Sequence, residues 1–291
     1  MTLSFAKRNM KVFLRDGGSV LGSLLTVIIL IGVYALFLGD MMVSSIDSGG
    51  FENHAKTMAD EWIMAGIVSV MPLSCALGAA GIIVEDRSKK IDRDFYCSPI
   101  SRASVSGGYI LSVFLIAFIM TVIGFALSQL YIVLRGGELL SLENMLKALG
   151  VILLDALAAS AIIITVAMLF KSQNAYGSAC TVIGTLSGFV MGLYLPVGSL
   201  PDAIATVVKC FPLSHSAVLL RQIFMEKSLE QASEGAPIEA VEILEGIQSE
   251  LGVSISFGNH VVSAAQSVAV LAATAVVFFG AAWLLARRKE K

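Results

Sequence analysis

Long, nearly uncharged apolar runs recur along this chain, and they restrict its fold more than any other feature. A transmembrane helix needs roughly 20 apolar residues, and several runs reach that length. The sequence is 56% hydrophobic and 14% charged, whereas soluble domains carry about 25% charged residues. Because the runs are continuous and do not alternate, a transmembrane β-barrel is disfavoured. The sequence therefore predicts an all-α polytopic membrane protein.

Six of these runs are predicted to cross the membrane as parts of one domain over residues 1–291. The predicted spans cover residues 20–38, 62–84, 104–134, 146–170, 176–195 and 261–286. Trp62 fits an aromatic anchor at the membrane surface, and Pro72 predicts a kink in the second span. Residues 2–15 are too polar to span. Their basic stripe predicts an amphipathic helix in the headgroup plane, with a plain charged cytoplasmic segment as the alternative.

The segment 196–260, before the last predicted span, is expected to be re-entrant and extracellular. Three prolines interrupt its beginning, and residues 202–210 are apolar but too few to span. Two helices follow, and seven Glu residues lie between Glu226 and Glu250. This acidic part is either a solvated cap over the outer mouth or a gate or docking face for a cationic cargo.

The distribution of basic residues predicts the orientation of the chain. Six spans place both termini on the same side of the membrane. If that side is the cytoplasm, 14 of the 20 Lys and Arg residues face inward, as the positive-inside rule requires. The sequence therefore predicts a multi-pass protein with both termini in the cytoplasm.

The stretch 85–102, EDRSKKIDRDFYCSPISR, is the most polar segment enclosed between two apolar runs. Ile91, Phe95 and Tyr96 share one face of a short predicted helix. Ser98-Pro99 ends that helix, because proline restricts the preceding residue to extended conformations, and Ser101 is expected to cap the next span. We interpret the stretch as a cytoplasmic loop through which a partner drives the membrane domain. Burial of the aromatic side chains in the membrane surface is the alternative.

Two features inside the predicted spans are candidate functional positions. Gly184, Gly188 and Gly192 form a GxxxGxxxG pattern, which lets helix backbones approach closely; the contact is either internal packing or a dimer interface. Asp155 is the one carboxylate well inside a predicted span, and such residues are costly and often functional. It has either a structural hydrogen bond or a place in the transport path.

Catalytic and metal-binding patterns are not evident in this sequence. It contains no GxxxxGK[ST], HExxH or GxSxG motif, so no P-loop, metalloprotease or hydrolase site is predicted. The three histidines are scattered and the four cysteines have no CxxC spacing, which argues against a metal site or a disulfide framework. No catalytic residue and no metal ligand is therefore expected.

Three stretches together resemble a known family. They are RNMKVFLRD before the first span, Glu85 closing the second span followed by SPISR, and LPVGSLPDAIATVVKCFPLSHSAVLLRQIF after the fifth span. In order and spacing they are similar to the ABC-2 type permeases, the membrane subunits of one class of ATP-binding-cassette exporters. The chain departs from the family pattern at Ser88-Lys89-Lys90, where a Gly-Thr pair is usual.

The resemblance implies a dimer of six-span subunits, identical or paralogous, whose first cytoplasmic loop docks on a separate ATPase. That ATPase would bind ATP and Mg, so this chain would hold no cofactor. The other implied contacts are with membrane lipid and not with nucleic acid. Residues 91–99 would be the coupling helix, and the cargo path would lie between the two subunits. The candidate coupling residues are Glu85, Asp86, Arg87, Ile91, Phe95, Tyr96, Ser98, Pro99 and Arg102.

The function expected from these observations is that of a permease subunit of an ATP-driven exporter in a bacterial cytoplasmic membrane. The length of the outer segment favours a drug, peptide or lipid-like cargo. An ion-coupled secondary transporter or channel is the first alternative, although such proteins usually show two repeated halves and several polar groups near the midplane. An intramembrane enzyme and a non-transporting receptor or assembly factor are further alternatives.

Overall fold

The computed structural model describes residues 2–18, 20–21, 28–29, 31–32, 34, 43, 52–96, 101–194, 196–233, 238–257 and 260–288. The fold is all-α, as predicted, and 85% helical. Its helices are α1 (Thr2–Arg15), α2 (Glu52–Ser88), α3 (Ile91–Tyr96), α4 (Arg102–Leu134), α5 (Leu142–Leu169), α6 (Gln173–Val190), α7 (Asp202–Cys210), α8 (Ser214–Ser233), α9 (Ile238–Glu250) and α10 (Ala264–Arg288). A short antiparallel pair, β1 (Ser256–Phe257) and β2 (His260–Val261), joins Ser256 to Val261.

Within the described part of the chain, four helices are long and apolar enough to cross a membrane. They comprise Ala55–Ser88, Ser104–Leu134, Leu142–Leu169 and Ala264–Leu285, and they match four of the six predicted spans. Helices α7 and α8 together make a fifth candidate, bent by 87°, which is the geometry of a broken span or a re-entrant loop. The predicted first span, 20–38, lies mostly outside the described residues. The predicted fifth span corresponds to α6, which is not among the four.

Helix α2 occupies the centre of the bundle. It packs against α4, α5, α6 and α8, and 89% of its most apolar window is buried, against 22% for α10 at the periphery. Its sequence is apolar on every side, as expected of a helix surrounded by others. The helix begins at Glu52, ten residues before the predicted second span 62–84. These ten residues are therefore helical, although they lie in the stretch predicted to connect the first two spans.

Local signals in the sequence set the ends of the long helices. Ser101 caps α4, because its Oγ accepts a hydrogen bond from the backbone N of Ser104 at 3.2 Å, as the sequence predicted. Ser141 caps α5 in the same way through the backbone N of Asn144. Between them, Gly136 adopts a φ of +92°, which glycine accepts without strain. Helices α4 and α5 are therefore joined by a tight turn and lie side by side.

Candidate functional site

The predicted ATPase-facing end of α2 is held by a buried carboxylate, Asp86. Its side chain accepts two hydrogen bonds from Arg8, from Nη1 at 2.7 Å and from Nη2 at 3.2 Å. Tyr109 Oη donates a third at 2.6 Å. Asp86 is 3% exposed, so its charge is stabilised by these donors rather than by water. The three residues join α1, α2 and α4 at one point.

Helix α1 contributes two neighbouring residues to the contact around Asp86, the charged Arg8 and the polar Asn9. Asn9 is fully buried and its Nδ2 donates to Ser112 Oγ on α4 at 3.2 Å. Its Oδ1 accepts from Arg8 Nη1 at 2.9 Å, which orients the guanidinium toward Asp86. The hydrogen bond to Asp86 raises the pKa of Arg8, so the cation is firmly retained.

Aromatic contacts extend this junction to the predicted coupling helix, α3. The ring of Phe5 on α1 meets the ring of Phe95 on α3 edge to face, with centroids 4.9 Å apart. Phe5 meets Tyr109 in the same way at 5.0 Å, and the Arg8 guanidinium lies 5.4 Å from the centroid of Phe95. Phe95 therefore contacts α1 within the chain, and α1 links the short helix to the spans. We name these residues, Phe5, Arg8, Asp86, Phe95 and Tyr109, the inner junction.

The remaining coupling candidates lie around the inner junction. Glu85 pairs with Lys89 at 2.5 Å on the exposed surface. Arg87 Nη1 donates to the carbonyl of Met168 at 3.2 Å, which ties the end of α2 to the end of α5. Ile91 begins α3 and is partly buried. Tyr96 ends α3 and Arg102 begins α4, but their side chains are not described. Ser98 and Pro99 lie outside the described residues.

Sequence reasoning did not identify Phe5, Arg8 or Tyr109 as site residues. Arg8 lies 78 positions from Asp86, and nothing in a local pattern shows that the two helices meet there. One signal was present: α1 carries the polar Asn9 among the positions that face the bundle, which indicates a hydrogen-bonding partner rather than lipid.

The glycine pattern in α6 divides into three different environments. A Cβ at Gly184 would meet no described atom within 4 Å, whereas a Cβ at Gly188 would overlap the ring of Tyr194 in the same chain. Gly192 follows the end of α6 with a φ of +66°, where glycine is needed for the turn. Only Gly184 is thus open to a neighbouring helix, and the exposed Val182, Leu186 and Phe189 lie on the same helix.

Asp155 lies in the middle of α5 and is 1% exposed. In the part of the chain that the structure describes, neither of its carboxylate oxygens has a hydrogen-bond partner. Its position tests neither of its two expected roles, a structural hydrogen bond or a place in the transport path.

A second junction lies on the opposite, predicted outer side, around Arg221 of α8. Its Nη2 donates to the carbonyl of Gly192 at 2.6 Å, and its Nη1 to the carbonyls of Leu251 and Gly252 at 3.3 and 3.4 Å. These carbonyls belong to the ends of α6 and α9, where the helix dipoles are negative. Arg221 is 1% exposed. One guanidinium therefore caps two helices, and we name this contact the outer junction.

Trp62 is part of the outer junction and not an anchor at the membrane surface. It is 2% exposed, and its indole Nε1 donates to the carbonyl of Leu251 at 2.7 Å. The expectation of a surface anchor was wrong because α2 is enclosed by other helices at this level. The single Arg in the apolar run AVLLRQIF was the signal that a buried partner set existed.

An acidic cavity of about 430 Å³ opens beside the outer junction. Its lining includes five carboxylates and two lysines: Glu61, Glu138, Glu143, Glu226, Glu230, Lys147 and Lys227. Several of these groups already have partners, since Lys227 binds Glu138, Asn144 binds Glu226 and Ser228 binds Glu61. Among the described residues, no group of three or more His, Cys, Asp or Glu is arranged to hold a metal ion.

Comparison with known proteins agrees with this architecture. The family model for ABC-2 family transporter protein matches residues 43–284. The matched region begins after α1 and extends from α2 through α9 and most of α10. It therefore includes Asp86 of the inner junction and Trp62 of the outer junction. A comparison with curated proteins finds no significant match.

Proposed function

Because this chain belongs to the ABC-2 family of transporter proteins, whose members are membrane permease components of ABC transporters, we propose that it is the permease subunit of an ATP-driven exporter. A separate ATPase would hydrolyse ATP with Mg, and this chain would carry a drug, peptide or lipid-like cargo out across a bacterial cytoplasmic membrane. Both termini would lie in the cytoplasm. The family match is the observation that carries the proposal.

The inner junction supports a mechanism for the coupling step. The exposed side of α3 would dock on the ATPase, and the Phe95 side would face Phe5 and Arg8. Movement of α3 on ATP binding would then reach α2 and α4 through Arg8, Asp86 and Tyr109, because the Tyr109–Asp86 contact is buried and the Arg8–Asp86 contact is short and partly buried. Since packed interfaces shift between discrete arrangements rather than bending continuously, the spans would change state as a unit.

A second permease subunit, identical or paralogous, is the other partner in this proposal. The exposed apolar face of α6 formed by Val182, Leu186 and Phe189 supports it, because apolar side chains that no described residue covers can pack against a second subunit; Gly184 lies on the other side of the helix. The cargo would move between the two subunits, and lipid would cover the remaining apolar surface. The acidic cavity is compatible with a cationic group on the cargo.

Purification with the candidate ATPase tests the proposal, and two variants of α3 separate docking from transmission. Asp94 is exposed on α3, so Asp94→Lys is expected to weaken association with the ATPase. Phe95→Ala removes the contact with α1, so the ATPase is expected to remain bound while transport and ATP hydrolysis become uncoupled. Asp202→Lys, at an exposed position on α7, is the matched control. If no ATPase binds the wild-type protein and transport needs no ATP, the proposal fails.

An ion-coupled transporter or channel is a second candidate function, and the burial of Asp155 inside a candidate span is the observation in its favour. Transport assays in vesicles separate the two. ATP dependence supports the exporter, and dependence on an ion gradient alone supports the second candidate.

A further inference from the structure

The carboxyl group of Asp155 is enclosed in the bundle, in surroundings that disfavour a negative charge. Its side chain is 1% exposed, and neither oxygen accepts a hydrogen bond from the described residues. An ionised carboxylate in such surroundings has lost its hydration without gaining hydrogen bonds from the described residues. Inside a membrane that penalty is largest, so buried acids there pair with a cation or become neutral.

Among the described residues, no cation pairs with Asp155. The described ion pairs of this chain do not include Asp155, and residues 19–51, which fall largely outside the description, contain no Lys, Arg or His. Burial disfavours the charged form of the carboxyl, and the hydroxyl of Ser216 on α8 acts on it more weakly in the opposite sense. Pairing with a described cation therefore does not offset the free-energy cost of burying a charge at Asp155.

The helices packed against α5 are α2, α4, α8 and α10. None of their described titratable or charged side chains forms a hydrogen bond or an ion pair with Asp155; His215, for example, places Nδ1 3.1 Å from Ser267 Oγ. Those side chains, with the two on α5 itself, are Lys56, Asp60, Glu61, Cys75, Glu85, Asp86, Arg87, Tyr109, Tyr131, Glu143, Lys147, His215, Arg221, Glu226, Lys227 and Glu230.

The orientation of the Ser216 hydroxyl indicates which protonation state fits. Ser216 Oγ donates its one hydrogen to the carbonyl of Leu213 at 2.7 Å, so it has no hydrogen left for a carboxylate. Its oxygen keeps free lone pairs and can only accept. A carboxylate therefore gains little from this hydroxyl, whereas a carboxylic acid could donate a hydrogen bond to its oxygen.

We propose that Asp155 is a proton-binding site, and that at neutral pH its side chain is a neutral carboxylic acid whose hydroxyl is directed at the Ser216 oxygen. The ligand is the proton itself, held between α5 and α8. This proposal does not depend on an ATPase partner or on the identity of the cargo.

A consequence for transport follows, and this part rests on the proposed function. If the contact between α5 and α8 opens during the cycle, water reaches Asp155 and the acid can ionise. The open state then binds fewer protons than the closed state, so rising pH favours opening and falling pH favours the closed arrangement. Asp155→Asn, which cannot ionise, is expected to remove this component of the pH profile of ATP-driven transport.

Infrared difference spectroscopy tests proton binding directly. The purified protein in lipid nanodiscs, with aspartate labelled with ¹³C at its side-chain carboxyl, is compared at neutral pH with Asp155→Asn. The expected result is the loss of one label-shifted band of a protonated carboxyl in the variant. Asp94→Asn, which removes a solvent-exposed carboxylate on α3, is the control and should remove a carboxylate band instead.

Loss of a carboxylate band in Asp155→Asn would overturn the proposal. If that variant does not fold, Asp155→Ala is used in the same comparison with the same two outcomes. The infrared result is obtained without an ATPase, so failure of proton binding and failure of the exporter function are distinguishable.

Discussion

The guanidinium of Arg221 lies 4.4 Å from the ring centroid of Trp62, and both side chains donate a hydrogen bond to the carbonyl of Leu251. The pair connects the central helix α2 to α8 and to the end of α9. Because the carbonyls of Gly192 and Gly252 bind the same guanidinium, one side chain holds the segment between α6 and α10 against the bundle.

We expect Arg221→Ala to destabilise the protein by about 2–4 kcal/mol, since it removes a cation–π contact and leaves buried carbonyls without donors. Arg221→Lys should destabilise the protein less than Arg221→Ala, because it keeps the charge. It should still destabilise the protein relative to the wild type, because a lysine cannot reach both helix ends. Thermal unfolding in detergent measures both. Lys171→Ala, at an exposed loop position, is the control, and an equal effect of Lys171→Ala and Arg221→Ala would contradict the account.

At the inner junction we expect Arg8→Ala to destabilise the protein by about 1–3 kcal/mol. Breaking a fully buried ion pair costs roughly 3–5 kcal/mol, and the effect here is smaller because 34% of the Arg8 side chain is exposed. In the double variant Arg8→Ala with Asp86→Asn, the uncompensated charge is gone, so stability should partly recover. Lys7→Ala, at the neighbouring exposed position, should have little effect. Strictly additive losses in the double variant would show that the two residues are not coupled.

Gly108 is required for α1 to dock on α4. A Cβ at Gly108 would lie 2.6 Å from Phe5 Cδ1 and 3.0 Å from Phe5 Cβ, so the backbone of α1 must move. We expect Gly108→Ala to cost about 1–3 kcal/mol through overpacking and to accelerate hydrogen exchange in residues 2–15. Gly150→Ala on α5 meets open space and is the control. Unchanged exchange in Gly108→Ala would argue against this docking.

The environment of Gly184 makes the dimer hypothesis testable without damage to the fold. A side chain at this position meets no described atom of the same chain within 4 Å, so Gly184→Leu should leave the thermal stability of the monomer unchanged. If α6 contacts a second subunit there, the bulkier side chain should shift native mass spectra from dimer to monomer. Gly150→Leu on α5, where a Cβ also meets no described atom within 4 Å, is the control. If the dimer persists in Gly184→Leu, Gly184 does not lie at the dimer interface and serves only packing within the chain.

Local sequence patterns were enough to establish the class of this protein and the position of its main elements. Hydropathy is a local property, so four spans and the polar loop before Ser101 were predictable from runs of residues, and the helix cap at Ser101 followed from local hydrogen bonding. The resemblance to ABC-2 permeases came from the order of such local features, and the family match confirmed it.

Which distant side chains meet depends on the packing of the helices and could not be predicted from local patterns. Arg8 binds Asp86, Arg221 binds the ends of two helices, and Tyr194 fills the space beside Gly188, and in each case the choice depends on which helices are neighbours. The same reason explains Trp62 and Asp155. A local pattern gives the polarity of a residue, but whether its surroundings supply lipid, a partner or nothing depends on how the whole bundle packs.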